Sequence, residues 1–566
     1  MVLSVFGARL VQLQGLNPQE YAALAAANGA NGLVHLALPA QRGDIVDRHG
    51  KKLAQSVSGL MIVADPEVTR AHAPAIARIL ADRLRIDYFT AMKQLALPGK
   101  QFAYIARRVP AAKATATVAA VEKAGFHGLD TRNDPLRTYP GNDLAANLLG
   151  FMNNEDKPSA GLEMSFDDQL RGTDGEETYE VGGKGNRIPL GENSVVKPSN
   201  GQKLRLTIDA DVQWYAQRAL CNAVAKTHSA SGTAVVMDRR NGQLLALADC
   251  PTLNSNQGGS APKADWGSRA VSEVYEPGSV EKVLTMSALI DQHKVKPSTK
   301  LVVPPELPVA DRVIHDYFTH GNIHLTLGGV IALSSNIGTV LAARHIASPV
   351  MGKYLQKFGL GTRTNLGLGA ESGGILPDPS SWSELTHSNI AFGQGVAVTA
   401  VQMAAAINTV ANGGLYVSPS LVMGKAIDQD GAEHGTDLTK TRRVVSPETA
   451  RKVTRMMELV TTPGKGTAGS TTSIPGYLVA GKTGTAQEPG GACKCYAQGF
   501  YDVSFAGFAP IGNPRFTVYV VLRHPQGASS GSGSAGPVFR QIMSYLLQKY
   551  DVPPTKVAPT KLGVYW

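Results

Sequence analysis

Three short motifs follow one another along this chain of 566 residues: Ser279-Val280-Glu281-Lys282, Ser334-Ser335-Asn336 and Lys482-Thr483-Gly484-Thr485. Chance supplies an isolated Ser-x-x-Lys in a chain of this length. It does not readily supply all three in order, each in a matching context. Ser279 follows Glu276-Pro277-Gly278, a turn signal. It precedes Val283-Leu284-Thr285-Met286-Ser287-Ala288-Leu289-Ile290, apolar on nearly every face, which predicts a buried central helix with Ser279 in its first turn. Ser334-Ser335-Asn336 closes another helical apolar stretch, residues 325–333. Lys482 continues Tyr477-Leu478-Val479-Ala480-Gly481, a strand pattern, and two more strand-like runs follow at 502–508 and 516–522. A fold that unites the motifs has to bring two helix ends and a strand to one place.

The residue types point to acyl chemistry. Ser279 and Lys282, three apart on a helix, share a face. A serine hydroxyl attacks well only when a base takes its proton, and lysine is such a base only where burial or a nearby positive charge lowers its pKa. The buried helix supplies the burial, and Lys482 can supply the charge. Free N–H groups at the helix start can stabilise an oxyanion. Taken singly, each motif has a plainer reading: Ser279 as an N-cap beside a solvated lysine, Ser334-Ser335-Asn336 as capping, the third motif as a surface turn. Taken together they assign Ser279 as nucleophile, Lys282 as base, Ser334 as proton relay and Asn336 as a clamp on a substrate amide. Gly484 within a strand fits close approach of an extended peptide to an edge strand.

By these residues the chain resembles a class B penicillin-binding protein. Arg42-Gly43-Asp44-Ile45-Val46-Asp47-Arg48-His49-Gly50 with Leu53-Ala54 is similar to the opening of that family's non-catalytic pedestal. Arg137-Thr138-Tyr139-Pro140 and Gly161-Leu162-Glu163 to Leu170-Arg171-Gly172 are similar to its later motifs. Phe392-Gly393-Gln394-Gly395 and Asn412-Gly413-Gly414 match segments between the second and third active-site motifs. Together with the lead-in Arg9-Leu10-Val11-Gln12-Leu13-Gln14, the pedestal opening most resembles the division-specific FtsI type in its actinobacterial form. The likeness runs from about residue 9 to 545. It departs inside the first motif, where Val280 and Glu281 stand in place of the Thr and the aromatic or Met of many relatives. Glu281 is expected to point away from Ser279, with a charge able to alter the pKa of Lys282.

The resemblance implies an α+β multidomain chain. An elongated N-terminal pedestal is followed by a transpeptidase domain like that of serine β-lactamases, a five-stranded antiparallel sheet flanked by helices. It implies peptidoglycan D,D-transpeptidation in septal wall synthesis, with neither cofactor nor metal. Ser279 attacks the penultimate D-alanine of a stem peptide, and the N–H groups of Ser279 and Thr485 form the oxyanion hole. Thr483 and Thr485, in the field of Lys482, hold the terminal carboxylate. Ser334, held by Lys482, returns a proton to the leaving D-alanine, and an amine from a neighbouring stem completes the cross-link. β-Lactams are then covalent inhibitors, and the implied partners are an FtsW-type glycosyltransferase and other division proteins.

Other readings remain open at this point: an elongation-type transpeptidase, a β-lactamase, a β-lactam sensor, or a division scaffold with a weak active site. The β-lactamase reading lacks a Glu-x-x-Leu-Asn-like pattern between the second and third motifs. The sensor reading lacks a signalling span or metalloprotease segment.

A net charge of +10 favours anionic lipid, wall precursors or wall polymers. No basic run, zinc spacing or aromatic RNA motif supports nucleic acid. Residues 1–8 are apolar but far short of the roughly 20 residues of a bilayer span, and they lack the marks of a signal peptide. By the resemblance, residues 1–14 read as the outer end of a truncated single membrane anchor, with the catalytic domain outside the cytoplasm. The alternative is a complete soluble protein with an N-terminal amphipathic helix. Cys221, in a helical run, and Cys250, ending a strand pattern, read as buried apolar residues. Cys493 and Cys495 are awkwardly spaced for a disulfide and lack zinc-spaced partners.

Punctuation places the pedestal at 15–201, the transpeptidase domain at 202–550 and a tail at 551–566. Helices are expected at 17–27, 70–84 and 111–124, and turns at 182–186 and 197–201. Thr207-Ile208-Asp209-Ala210 opens a helix by N-capping. Residues 234–238 and 244–248 flank Asn241-Gly242 as a hairpin.

Overall fold

The hairpin that the Asn241-Gly242 turn predicts forms one edge of the main sheet. Strand Ser231–Asp238 pairs antiparallel with Leu244–Cys250. Gly242 takes φ +73° in the turn, a conformation that costs glycine little. The computed structural model describes residues 33–153, 155–180, 193–490, 495–526 and 530–566. The anchor end expected at 1–14, the helix at 17–27, the turns at 182–186 and Cys493 lie outside the described residues.

The chain forms two units, one from residues within 33–44, 55–138 and 169–203, the other from 45–54, 139–168 and 204–566. In the first, strand Gly59–Ala64 lies between Ala103–Pro110 and Leu129–Asn133, all antiparallel. Helices Ala73–Leu84, Tyr88–Leu95 and Ala111–Lys123 bury Ile76, Ala77, Leu80, Leu95 and Val121 against one another. Asp87 caps the second of them by accepting from Thr90 N, satisfying one of its orphan donors. The helix expected from residue 70 begins as a 3₁₀ turn, Arg70–His72, and becomes α-helical at Ala73. Two of the pedestal motifs meet here, with Arg137 Nη1 donating to Gly43 O at 2.9 Å.

The second unit holds a five-stranded antiparallel sheet. Its order is Leu244–Cys250, Ser231–Asp238, Phe516–Arg523, Cys495–Ala509, Ala480–Gly490. The expected strands at 502–508 and 516–522 are therefore adjacent. Helices cover both faces. Phe505 packs against Phe539 of helix Gly536–Lys549 on one side. From the other, Thr517 donates to Asn408 of helix Ala400–Ala411. Asp209 caps helix Ala210–Thr227, accepting from Asp211 N and Val212 N, as Thr207-Ile208-Asp209-Ala210 predicts.

The cysteine reading is corrected here. Cys221 and Cys250 are not separate apolar residues; they form a disulfide. Helix Ala210–Thr227 packs on strand Leu244–Cys250, bringing the two Cα atoms to 5.4 Å, within bonding range. A sequence separation of 29 hides that contact from any spacing argument.

The stretch 325–333 also divides more finely than expected. Strand Ile323–Thr326 pairs with Lys300–Val303, helix Leu327–Ala332 follows, and a second helix, Asn336–Ala343, begins just beyond. The C-terminal segment runs beside this strand: Val564 O accepts from Thr326 N at 3.0 Å, and Trp566 N donates to His324 O at 3.2 Å.

Candidate active site

Ser279 sits in a 3₁₀ turn, Gly278–Val280, that leads directly into helix Lys282–Asp291. The turn is tightly enclosed. Gly278 has φ +53° and donates its N–H to Gly393 O at 3.0 Å. A Cβ on Gly393 would lie 2.0 Å from Gly278 O, so the Phe392-Gly393-Gln394-Gly395 segment owes a glycine to this approach. Behind Ser279 the helix is buried from Lys282 to Ile290. In front of it opens a cavity of about 690 Å³, lined also by Arg312, Asn336, Phe392, Gln394 and Thr485.

The second motif is the break between two helices. Ser335 caps helix Asn336–Ala343, accepting from Gly338 N. Ser334, just before it, takes φ +58°, sparsely populated for a residue with a Cβ. The conformation lets Ser334 serve two lysines. Its carbonyl accepts from Lys282 Nζ at 2.7 Å, and its hydroxyl accepts from Lys482 Nζ at 2.8 Å. Lys282 Nζ also donates to Asn336 Oδ1 at 2.7 Å, while Asn336 Nδ2 donates to His315 O at 3.0 Å. The Asn336 amide is thus engaged with the base as well as facing the cavity.

Burial governs the charges. Lys282 is fully buried, which lowers its pKa to about 7 against an opposing pull that comes first from Asp316. Lys482 is fully buried too, and desolvation first, then the charge of Lys282, hold it well below the usual lysine range. Burial thus favours the neutral form of both lysines, the form that can accept a proton from a hydroxyl.

Lys482 stands on the outer strand of the sheet, Ala480–Gly490, whose known partner is Cys495–Ala509 in the register Lys482↔Ala506 and Gly484↔Ser504. Its Nζ also donates to Thr483 O and Thr483 Oγ1, at 3.0 and 3.2 Å. Thr485 is exposed to the cavity that Ser279 lines. Among the described residues no strand pairs with the other edge, so an extended peptide can add there. Gly484 is required for a reason the sequence did not suggest. A Cβ there would meet Ser504 Oγ at 2.2 Å, Val280 Cγ2 at 3.0 Å and Pro277 O at 3.1 Å. The glycine admits the nucleophile's turn against the strand, from the protein side rather than the ligand side.

One residue was missed. The Asp316 carboxylate, fully enclosed, accepts from Ser335 Oγ at 2.6 Å and from the N–H groups of Asn336 and Ile337, pinning the start of the second-motif helix. Nothing in its local sequence marks it, because the second-motif residues that it pins lie about twenty positions away. Glu281, expected to point away from Ser279, is buried completely. Farther along the strands, Glu488, Asp502 and His524 converge. There Arg523 is the cation already present, 2.5 Å from Glu488 and 2.6 Å from Asp502.

A helix-borne serine with a lysine one turn on, a second helix start and a lysine-bearing edge strand define a serine acyl-transfer site of the lysine-activated type. Comparison with known proteins agrees. The family model of the penicillin binding protein transpeptidase domain matches residues 232–544, and that of the penicillin-binding protein dimerisation domain matches residues 37–206. Penicillin-binding protein PbpB of Mycolicibacterium smegmatis is 35% identical, with 98% of this chain and 89% of that protein covered. Peptidoglycan D,D-transpeptidase FtsI of Escherichia coli is 33% identical, covering 91% and 84%. The crystal structure of penicillin-binding protein 3 from Mycobacterium tuberculosis complexed with aztreonam superimposes with a TM-score of 0.72 at 29% identity, covering 94% of this chain and all of that one. The chain belongs to the penicillin-binding proteins, in the class B, FtsI-like group with a dimerisation and a transpeptidase domain.

Proposed function

We propose that this chain is a septal peptidoglycan D,D-transpeptidase, inhibited covalently by β-lactams. The observation that carries the reading is the convergence of Lys282 and Lys482 on Ser334, beside the helix start that presents Ser279. Neutral Lys282 takes the proton from Ser279 Oγ as that oxygen attacks the carbonyl of the penultimate D-alanine. The backbone N–H groups of Ser279 and Thr485 receive the oxyanion. Ser334, hydrogen-bonded to Lys482, passes a proton to the departing D-alanine amine. Thr483, Gly484 and Thr485 hold the terminal carboxylate and the extended peptide, and Asn336 clamps its amide. The amine of a second stem peptide then attacks the acyl-enzyme, releasing Ser279.

We assign the non-catalytic pedestal to residues 15–201 and the catalytic domain to 202–550. The chain works at the outer face of the cell membrane, beside an FtsW-type glycosyltransferase. The Cys221–Cys250 disulfide suits an oxidising compartment and so supports that location. Among the described residues no helix is long and apolar enough to cross a membrane.

The second nucleophile separates this reading from a β-lactamase. Among the described residues lining the cavity there is no carboxylate to activate water. Fluorescent penicillin should label the wild type and not a folded Ser279→Ala variant. Intact-protein mass spectrometry should show the penicilloyl adduct persisting for many minutes. Labelling of the alanine variant would remove Ser279 as nucleophile. Rapid return to the free mass with accumulating hydrolysed drug would replace the transpeptidase by a hydrolase.

A further inference from the structure

Between the nucleophile and its base lies a carboxyl group that the reaction does not use. Glu281 is completely buried, and among the described residues its partner is Thr285, one turn along the same helix, with Oγ1 at 2.9 and 3.0 Å from the two carboxyl oxygens. Thr285 Oγ1 also lies 3.0 Å from Ala391 O. Ala391 is the last residue of helix Glu384–Ala391, so its carbonyl is one of that helix's orphan acceptors, and it is buried.

Counting protons decides the arrangement. A threonine hydroxyl carries one hydrogen. If Glu281 were a carboxylate, that hydrogen would have to serve both the carboxylate and the Ala391 carbonyl, leaving one buried acceptor short. If Glu281 is a carboxylic acid, each of the three groups makes a hydrogen bond: its O–H donates to Thr285 Oγ1, and Thr285 Oγ1 donates to Ala391 O. Burial acts in the same direction, holding the Glu281 carboxyl well above the usual carboxylate range against the Thr285 hydrogen bond and the charge of Lys282. The titratable groups around the base are Glu281 on its own helix, Asp316 and Lys482.

We infer that Glu281 is a neutral carboxylic acid and a positioning residue for acylation. The chain Glu281–Thr285–Ala391 fastens the nucleophile's helix to the segment that carries Phe392 and Gln394 into the cavity. A neutral Glu281 also leaves Lys282 without an adjacent anion that would keep it protonated. The segment it fastens is the one whose Gly393 carbonyl holds Gly278 and whose Gly395 N–H is held by Glu276 at 2.8 Å. Displacing Ala391 therefore displaces the turn that aims Ser279.

The inference rests on Ser279 and Lys282 acting in acylation as proposed above, and its test is separable from that proposal. Pre-steady-state acylation by penicillin is measured across pH for the wild type, E281Q, T285V and T285S. The glutamine variant retains an N–H donor to Thr285 and should keep the rising limb of the acylation profile at its wild-type pH. T285V should slow acylation about tenfold, the scale of one lost hydrogen bond, and T285S should restore it. An ionised Glu281 would instead support the protonated base, so E281Q would move the limb about one unit lower; that outcome overturns the inference. A T285V rate equal to wild type also overturns the positioning role. Infrared spectroscopy of wild-type protein carrying isotope-labelled glutamate needs no variant and no turnover. A labelled carboxylic-acid band that persists above neutral pH supports the assignment, and its absence refutes it. Failure of the wild type to acylate at all would count against the transpeptidase reading and leave the infrared result standing.

Discussion

At the scale of single residues, the site depends on two lysines stripped of water. A lysine with a pKa near 7 is divided between its two forms at neutral pH, and only the neutral form accepts the proton of Ser279. The neutral fraction of Lys282 grows as pH rises through about 7, so acylation should be slow below that value and reach a plateau above it. Stopped-flow acylation by a chromogenic β-lactam checks this directly. Lys282→Ala should slow acylation by about 10²-fold or more and abolish the limb. Lys282→Arg should be as poor, because a guanidinium stays protonated. A near wild-type rate in either variant would mean the proton goes elsewhere. The letters of the three motifs were enough to name these groups. They were not enough to find Asp316 or the partner of Glu281, whose hydrogen bonds reach residues 19 to 106 positions away.

At the scale of elements, the active site is the seam between a helix start and an edge strand. Gly484 is where the two come closest, with Val280 and Pro277 on one side and Ser504 on the other. Gly484→Ala should therefore destabilise the protein by about 1–3 kcal/mol through overpacking. It should also slow acylation by separating Thr485 from Ser279. The largest conflict is with the Ser504 hydroxyl, so adding Ser504→Ala should recover part of the lost stability. Thermal melts of the single and double variants, read with penicillin labelling, test this. Equal stability of Gly484→Ala and wild type would show that the strand yields freely. The strand itself was legible from residues 477–485. The reason for its glycine was not, because a ligand and a packed helix ask the same thing of a strand backbone.

At the scale of the whole molecule, the Cys221–Cys250 bond ties helix Ala210–Thr227 to an outer strand of the five-stranded sheet. Closing a loop of 29 residues restricts the unfolded chain, so replacing both cysteines with serine should cost about 3–4 kcal/mol. The outer strand bearing the third motif is at the opposite edge of the sheet. Acylation at moderate temperature should then be nearly unchanged while the denaturation midpoint falls, measured by chemical unfolding of the oxidised and the double-serine proteins. An unaltered midpoint would show that the bond adds nothing to stability. What the sequence by itself determined here is local and periodic. It includes the apolar run behind Ser279, the Asn241-Gly242 hairpin, the Asp209 cap and the strand runs around Lys482, because each is written in neighbouring residues. Its ordered motifs also identified the chemistry. Only the tertiary structure decided that Cys221 meets Cys250, that Ser334 is shared by two lysines, that Asp316 anchors the second motif and that Glu281 lies in the core. Those facts depend on which distant surfaces meet when the sheet closes against its helices, and on the desolvation that follows, and neither is encoded in spacing along the chain.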